Sequence, residues 1–403
     1  MNYFGVGIKI TLFYYNITKY IGGEIMLQKY DKYDYRVQLM RILACFIVIG
    51  CHVRAEPVIN GGLDKELLLI HGFFDDGVAV FFLIMGFFLP STKEPFWKSI
   101  GKTFCRILIP VLILKIGLQV LGSWIIHESS LLECLAHPAL NLTELLHYFV
   151  SLNFSAGNYS THLWYITSYL NIVILLPLLK LLTLDHPLAP KVCQWIIAIN
   201  VIGMFVSDLR ALFPAQLGIV NTFMIFDVSL TYVLIGYVLY QKQDYFKNSW
   251  KYRILFLIAM VGINILRFIL QCVLFQKTLE NNYFYYWTTA VSLLFTVCFA
   301  GFFLTFARET PPPWSRVINY IGKKTYWIYL IHMAVYTCLD HRNVRNQIYA
   351  ITIGITPNLI TKLGYDLLYP IIIFICCLLI SIGIDCIKMS LQFLCHRLPL
   401  KKA

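Results

Sequence analysis

Arg41-Ile-Leu-Ala-Cys-Phe-Ile-Val-Ile-Gly-Cys-His52 is an apolar run closed at each end by an ionisable side chain. Ten residues separate the two. Eleven helical steps of about 100° come to about three full turns, so Arg41 and His52 share one helix face, about 16 Å apart along the axis. Ionisable groups within an apolar span are costly and tend to mark functional sites. The plainer reading is also open: Arg41 snorkels toward one interface and His52 lies at the other.

The rest of the chain places this run in a membrane. Of 403 residues, 59% are hydrophobic and 13% charged, against roughly 25% charged in a soluble domain. A soluble enzyme, a disordered chain and a disulfide-rich secreted module are thereby excluded. The 12 cysteines are scattered, and Cys45, Cys272, Cys298, Cys376 and Cys377 lie in apolar runs. They read as small buried hydrophobes, not as disulfides or metal ligands.

Apolar segments near 37–55, 74–90, 107–126, 162–180, 192–207, 217–240, 254–276, 284–307, 325–340 and 366–387 predict an all-α polytopic bundle of about ten transmembrane helices. The stretch 192–216 also reads as a tight pair or a re-entrant segment. Residues 309–313, Glu-Thr-Pro-Pro-Pro, belong to a loop. With the N-terminus cytoplasmic, 23 of the 33 basic residues fall in inside segments and 7 outside. This positive-inside bias puts both termini in the cytoplasm and accounts for the net charge of +12 without nucleic acid. Residues 1–30 read as a cytoplasmic or interfacial segment, 31–390 as the membrane domain and 391–403 as a basic cytoplasmic tail. The opening 25 residues are amphipathic, and Met26 reads as an alternative initiator.

Further polar residues stand out. Asp75 and Asp76 lie at the outer mouth of the second span, where one carboxylate is placed to orient His52; a solvated helix N-terminus fits them as well. Gly86 permits a close helix approach or a ligand near the backbone. Lys98, Lys102 and Arg106 are spaced four and four, a basic stripe suited to the phosphates of a nucleotide-like cofactor or to anionic lipid headgroups. The outer-loop histidines His127, His137 and His147 are ten residues apart, too far for a zinc site, and read as surface. His162, Trp164 and Tyr165 open the fourth span, as belt anchors or as faces for a sugar ring. His332 is mid-span and should face the bundle interior. A glycan or solute transporter is the competing class. It predicts charges spread over several spans and paired halves, whereas the mid-span charges here are Arg41, Lys115 and Arg267 and no repeat is visible.

The Arg41–His52 element, the run from Val78 to Leu89 (Val-Ala-Val-Phe-Phe-Leu-Ile-Met-Gly-Phe-Phe-Leu), the His162-Leu-Trp-Tyr-Ile entry and the Trp327-Ile-Tyr-Leu-Ile-His-Met333 run resemble the acyltransferase-3 family. The resemblance extends from about residue 30 to 390. Met85 stands where the family usually has serine, and the basic motif is thinned to Lys102 and Arg106. The resemblance is to the short form without an appended hydrolase-like domain. It implies a multi-pass acyltransferase of the bacterial inner membrane, using acetyl-CoA and no metal to O-acetylate a polysaccharide or lipid-linked glycan such as O-antigen, capsule or common antigen. Membrane lipids are the other partners. By the same resemblance, Lys102 and Arg106 hold the CoA phosphates, and Arg41 orients the thioester or pantetheine end. His52 is general base or acyl carrier, and His332 or Asp76 takes the role otherwise. Trp164, Tyr165 and His162 contact the acceptor.

The charge count generates a topology prediction. Reporter fusions at Ser155 and Gln243 should give opposite signals, the first outside and the second cytoplasmic; like signals at both would reverse the assignment.

Overall fold

The structure, a computed structural model, describes residues 34–59, 61–89, 96–127, 161–183, 187–213, 227–280, 282–308 and 311–397. The expectations for residues 1–30, for His137 and His147 in the outer loop, and for the tail beyond Arg397 lie outside the described residues.

Among the described residues the secondary structure is helical, apart from a two-stranded antiparallel hairpin of Val58–Ile59 and Gly62–Leu63. Each of the ten expected segments holds a helix: α1 (Tyr35–Val53), α3 (Gly77–Phe87), α5 (Ile109–His127), α6 (Trp164–Leu181), α7 (Ala189–Leu212), α8 (Val228–Gln241), α9 (Trp250–Thr278), α10 (Ala290–Leu304), α12 (Thr325–His341) and α14 (Leu359–Arg397). Shorter helices lie between them: α2 (Lys65–His71), α4 (Phe96–Thr103), α11 (Ser315–Gly322) and α13 (Val344–Ile351). Among the described residues, six helical segments are long and apolar enough to cross a membrane: Tyr35–Val53, Trp164–Leu181, Ala189–Leu212, Trp250–Thr278, Tyr283–Leu304 and Leu359–Lys388. The stretch from residue 192 is neither a tight pair nor re-entrant as far as Leu212, since α7 runs unbroken through it. Helix α14 runs on to Arg397. Its 39 residues measure about 58 Å, well beyond a hydrocarbon core of about 30 Å.

Helix starts follow local chemistry. The Asp34 carboxylate accepts the Arg36 N–H ahead of α1, Asp64 accepts from Glu66 and Leu67 ahead of α2, and the Thr289 hydroxyl accepts from Ser292 ahead of α10. Each satisfies an amide that a helix start otherwise leaves orphaned.

Helix α1 packs against α3, α10, α11, α12 and α14. It divides two apolar cores. Val37, Met40, Ala44 and Ile47 join the core built with α3, α8 and α10. Cys45, Val48, Ile49 and Val53 join the core built with α12 and α14. Val78, Phe81 and Tyr165 touch both cores.

The second expected span is shorter than its apolar run suggested. Helix α3 has 11 residues, and its partner α8 has 14, about 16 and 21 Å long. Backbone breaks of this kind are tolerated at membrane depth where protein covers them. The two helices approach closely: a Cβ on Gly86 would lie 2.0 Å from the Val233 carbonyl oxygen, and one on Gly236 2.0 Å from that of Leu83. The expected close approach at Gly86 is thus to α8, through a reciprocal glycine pair.

Helix α9 is polar on its inner face and apolar outside. Asn264, Arg267 and Gln271 are buried, while Leu257, Ile258, Ile265, Leu266 and Ile269 are exposed. Arg267 is 0% exposed and donates to the Asp76 carboxylate (2.7 Å), the Gly72 carbonyl (2.8 Å) and the Ser292 hydroxyl (3.2 Å). The Phe295 ring lies 5.0 Å from its guanidinium.

Gly86→Val and Gly236→Val should each reduce folded protein in the membrane, because overpacking costs about 1–3 kcal/mol or more. Gly262→Val is the control, since nothing lies within 4 Å of a Cβ there. Size-exclusion profiles of the detergent-extracted proteins read the outcome; equal profiles for all three would remove the glycine pair from the packing.

Candidate active site

Three imidazoles meet beside the C-terminal end of α1. His52 comes from the last turn of α1. His162 sits on the short turn Thr161–Leu163 that opens α6. His332 lies near the middle of α12. The His52 and His332 ring centroids are 5.4 Å apart, and those of His162 and His332 4.9 Å. His162 and His332 are buried, whereas His52 is half-buried.

Main-chain groups of α12 set the two buried rings. The His332 Nδ1 faces the Tyr329 carbonyl oxygen at 2.5 Å, and the His162 Nε2 faces the Leu330 carbonyl oxygen at 3.3 Å. The Tyr329 hydroxyl donates back to the His162 carbonyl. Two residues far apart in sequence are thus fastened to one helix turn.

Arg41 lies at the other end of the same helix, toward the basic segment. Its guanidinium lies 5.1 Å from the Phe88 ring centre, and its electrostatic neighbours are the Tyr165 and Tyr169 hydroxyls. No carboxylate neutralises it among the described residues. Such a cation, held by aromatic faces, is left to attract a polar or anionic ligand. Between Arg41 and the histidines runs a line of rings: Tyr165 to Tyr329 at 5.4 Å and Tyr329 to His332 at 5.7 Å. Phe82 packs on Tyr165 at 4.8 Å.

The basic segment joins the far end of this line. Lys98 and Lys102 are on α4, and Arg106 is on a π-helical turn, Phe104–Leu108. Because a π turn is wider than an α turn, Arg106 is rotated off the strict four-and-four stripe that the spacing predicted. The Thr103 side chain bonds the Tyr169 hydroxyl, and the Tyr326 hydroxyl donates to the Ile107 carbonyl at 3.2 Å. Lys98 and Arg106 are exposed, and Lys102 is half-buried.

The structure therefore brings His52, His162 and His332 together, with Tyr165 between them and Arg41. It places Asp76 elsewhere. Asp76 is paired with Arg267, and Asp75 with Arg54 at 2.5 Å, so neither carboxylate is bonded to His52. A guanidinium with charge and forked geometry outcompetes a half-buried imidazole for a carboxylate. Trp164 is stacked on Trp287 at 5.5 Å.

Several residues around the site escaped the sequence reading. Tyr329 was legible in principle, three residues before His332 and so on the same helix face. Trp287 and the pair of His71 and Asp366, 3.5 Å apart, carried no local signal. Asp366 also accepts the Ala55 N–H at 3.1 Å just past α1.

An acyltransferase-3 family model, described as an acyltransferase domain, matches residues 34–386. The chain belongs to this family of membrane acyltransferases. No curated protein and no solved structure matches it.

The placement of Asp76 makes a stability prediction. Removing one partner of a buried ion pair costs about 3–5 kcal/mol, while removing both costs far less. Asp76→Asn and Arg267→Gln should each lower the melting temperature in detergent, and the double variant should melt above either single one. Additive losses in the double variant would show that the pair is not the structural unit described.

Proposed function

We propose that this protein transfers an acetyl group from cytoplasmic acetyl-CoA to a hydroxyl of a surface or lipid-linked polysaccharide, of O-antigen, capsule or common-antigen type, across a bacterial inner membrane. The observation that carries the reading is that one buried helix, α1, bears an unneutralised arginine toward the basic segment and a histidine within a three-imidazole cluster at its other end. A CoA thioester and a glycan are too polar to meet by diffusion through lipid. A protein-lined route that brings the acyl group to the acceptor removes that barrier.

On this reading Lys102 and Arg106 hold the CoA phosphates by charge-assisted hydrogen bonds. Arg41 orients the thioester, its fork suited to a carbonyl oxygen gaining negative charge. The acceptor oxygen forms a bond to the acetyl carbon, the carbon–sulfur bond breaks, and the hydroxyl proton ends on the CoA sulfur. His52 serves as general base or as acyl carrier in that sequence. Trp164 and Tyr165 offer the sugar an aromatic face. The chemistry needs no metal.

The reading is tested on protein reconstituted in lipid with labelled acetyl-CoA and a lipid-linked glycan. His52→Ala should lose glycan acetylation by about 10²–10⁴-fold, at unchanged membrane abundance. Arg41→Lys should also fail, since a point charge replaces a planar fork. Lys102→Ala and Arg106→Ala should weaken donor binding, most at low salt where attraction is least screened. Acetylation by His52→Ala within a few-fold of wild type would remove His52 from the mechanism. Donor affinity untouched by the Lys102 and Arg106 changes, with altered lipid dependence, would assign those residues to headgroups instead.

A further inference from the structure

The hydrogen bonds around His162 and His332 fix where their protons are. A carbonyl oxygen only accepts, so the nitrogen facing it must carry the hydrogen. In His332 that is Nδ1, held by the Tyr329 carbonyl; in His162 it is Nε2, held by the Leu330 carbonyl. The opposite nitrogens, His332 Nε2 and His162 Nδ1, are therefore bare lone pairs in the neutral rings. Both are buried and have no hydrogen-bond partner among the described residues.

Two buried acceptors without a donor are costly unless something fills the gap. Imidazoles held this way also suit metal ions, but among the described residues no three of His, Cys, Asp and Glu have the arrangement to hold one. Two such lone pairs call for a hydrogen-bond donor, and an acceptor hydroxyl is one. His52 differs. No described hydrogen bond holds its ring, it is half-buried, and it lies on the helix face that leads from Arg41.

We infer that the two histidines divide the reaction, His52 carrying the acyl group and His332 Nε2 taking the proton of the acceptor hydroxyl. This deepens the acetyl-transfer reading above and rests on it. In the first step a His52 nitrogen bonds the acetyl carbon, the carbon–sulfur bond breaks, and the CoA thiolate takes the proton released by the His52 ring. In the second, His332 Nε2 accepts the acceptor's hydroxyl proton while that oxygen bonds the acetyl carbon. The carbon–nitrogen bond to His52 then breaks, and the His52 nitrogen recovers the proton from His332. The Tyr329 carbonyl plays the part of the third group that orients a base. His162 is a positioning residue, its Nδ1 offering the hydroxyl group's neighbourhood a second acceptor. With ring centroids 5.4 Å apart, His52 and His332 are close enough for one acceptor hydroxyl to be shared by the two rings.

The test separates the two half-reactions in reconstituted full-length protein. Exchange of labelled CoA into acetyl-CoA without glycan reads the first step, and glycan acetylation reads both. Wild type should exchange and acetylate. His52→Ala should do neither. His332→Gln, which keeps a polar side chain but has no basic nitrogen, should exchange at near wild-type rate and lose glycan acetylation by at least about 100-fold, in kcat rather than in KM for acetyl-CoA. Retained exchange is itself the evidence that this variant is folded; His332→Asn replaces it if its membrane abundance falls. The division is overturned if His332→Gln acetylates within a few-fold of wild type, or if it loses exchange together with acetylation. It is overturned equally by a wild type that acetylates without exchange, or by zinc bound to wild type and absent from His332→Gln. A wild type that cleaves no thioester under any condition overturns the acetyl-transfer reading as well, and that outcome is distinct from the others.

Discussion

A fully buried guanidinium must find fixed partners, and the partners of Arg267 shape the centre of this protein. It takes the Asp76 carboxylate and the Gly72 carbonyl from the segment joining α2 to α3. That segment cannot continue as helix while offering a free carbonyl inward, so the chain breaks there and α3 starts afresh at Gly77. The new start seats α3 against α1, where a Cβ on Gly77 would lie 2.5 Å from the Ala44 carbonyl oxygen. Its other end locks to α8 through Gly86 and Gly236. Helix α1 is then fixed in rotation, and with it the direction of His52.

The site that results is asymmetric. At the Arg41 end a positive charge lies among rings and hydroxyls, with no acid to quench it among the described residues. At the His52 end Asp75 is paired with Arg54, and Asp366 accepts the Ala55 N–H and lies 3.5 Å from His71, not at His52. Each end thus presents one kind of chemistry: attraction for an electron-rich group at Arg41, and neutral nitrogen bases at the histidines. An acid left free beside the imidazoles would hold them protonated and useless as bases or nucleophiles.

The sequence made part of this legible. Arg41 and His52 sit on one straight helix, so spacing alone placed them on one face. His162 and His332 were each marked by polarity at the edge or the middle of an apolar run. Their meeting was not legible, because residues 52, 162 and 332 are joined by packing between three helices and by main-chain carbonyls that carry no residue signature. The role expected for Asp76 went to a contact with α9 for the same reason: the competing partner, Arg267, is 191 residues away. The ten apolar segments were readable from composition, but the shortness of α3 was not, since hydropathy cannot register where a helix stops inside other protein. The π turn before α5 was hidden as well, because α and π windings share one composition.

Helix α9 turns the usual arrangement of a soluble helix inside out. In water, leaving a protein core exposes apolar surface, and that exposure resists departure. Here the outer leucines and isoleucines of α9 face surroundings as apolar as the bundle, so apolar contact hardly distinguishes docked from undocked. What ties α9 to its neighbours is the set of hydrogen bonds from Asn264 to the Leu69 carbonyl and from Arg267 to Gly72, Asp76 and Ser292. Water is the natural competitor for every one of those bonds. Hydration of the interior, more than heat itself, is therefore the route by which this helix comes away.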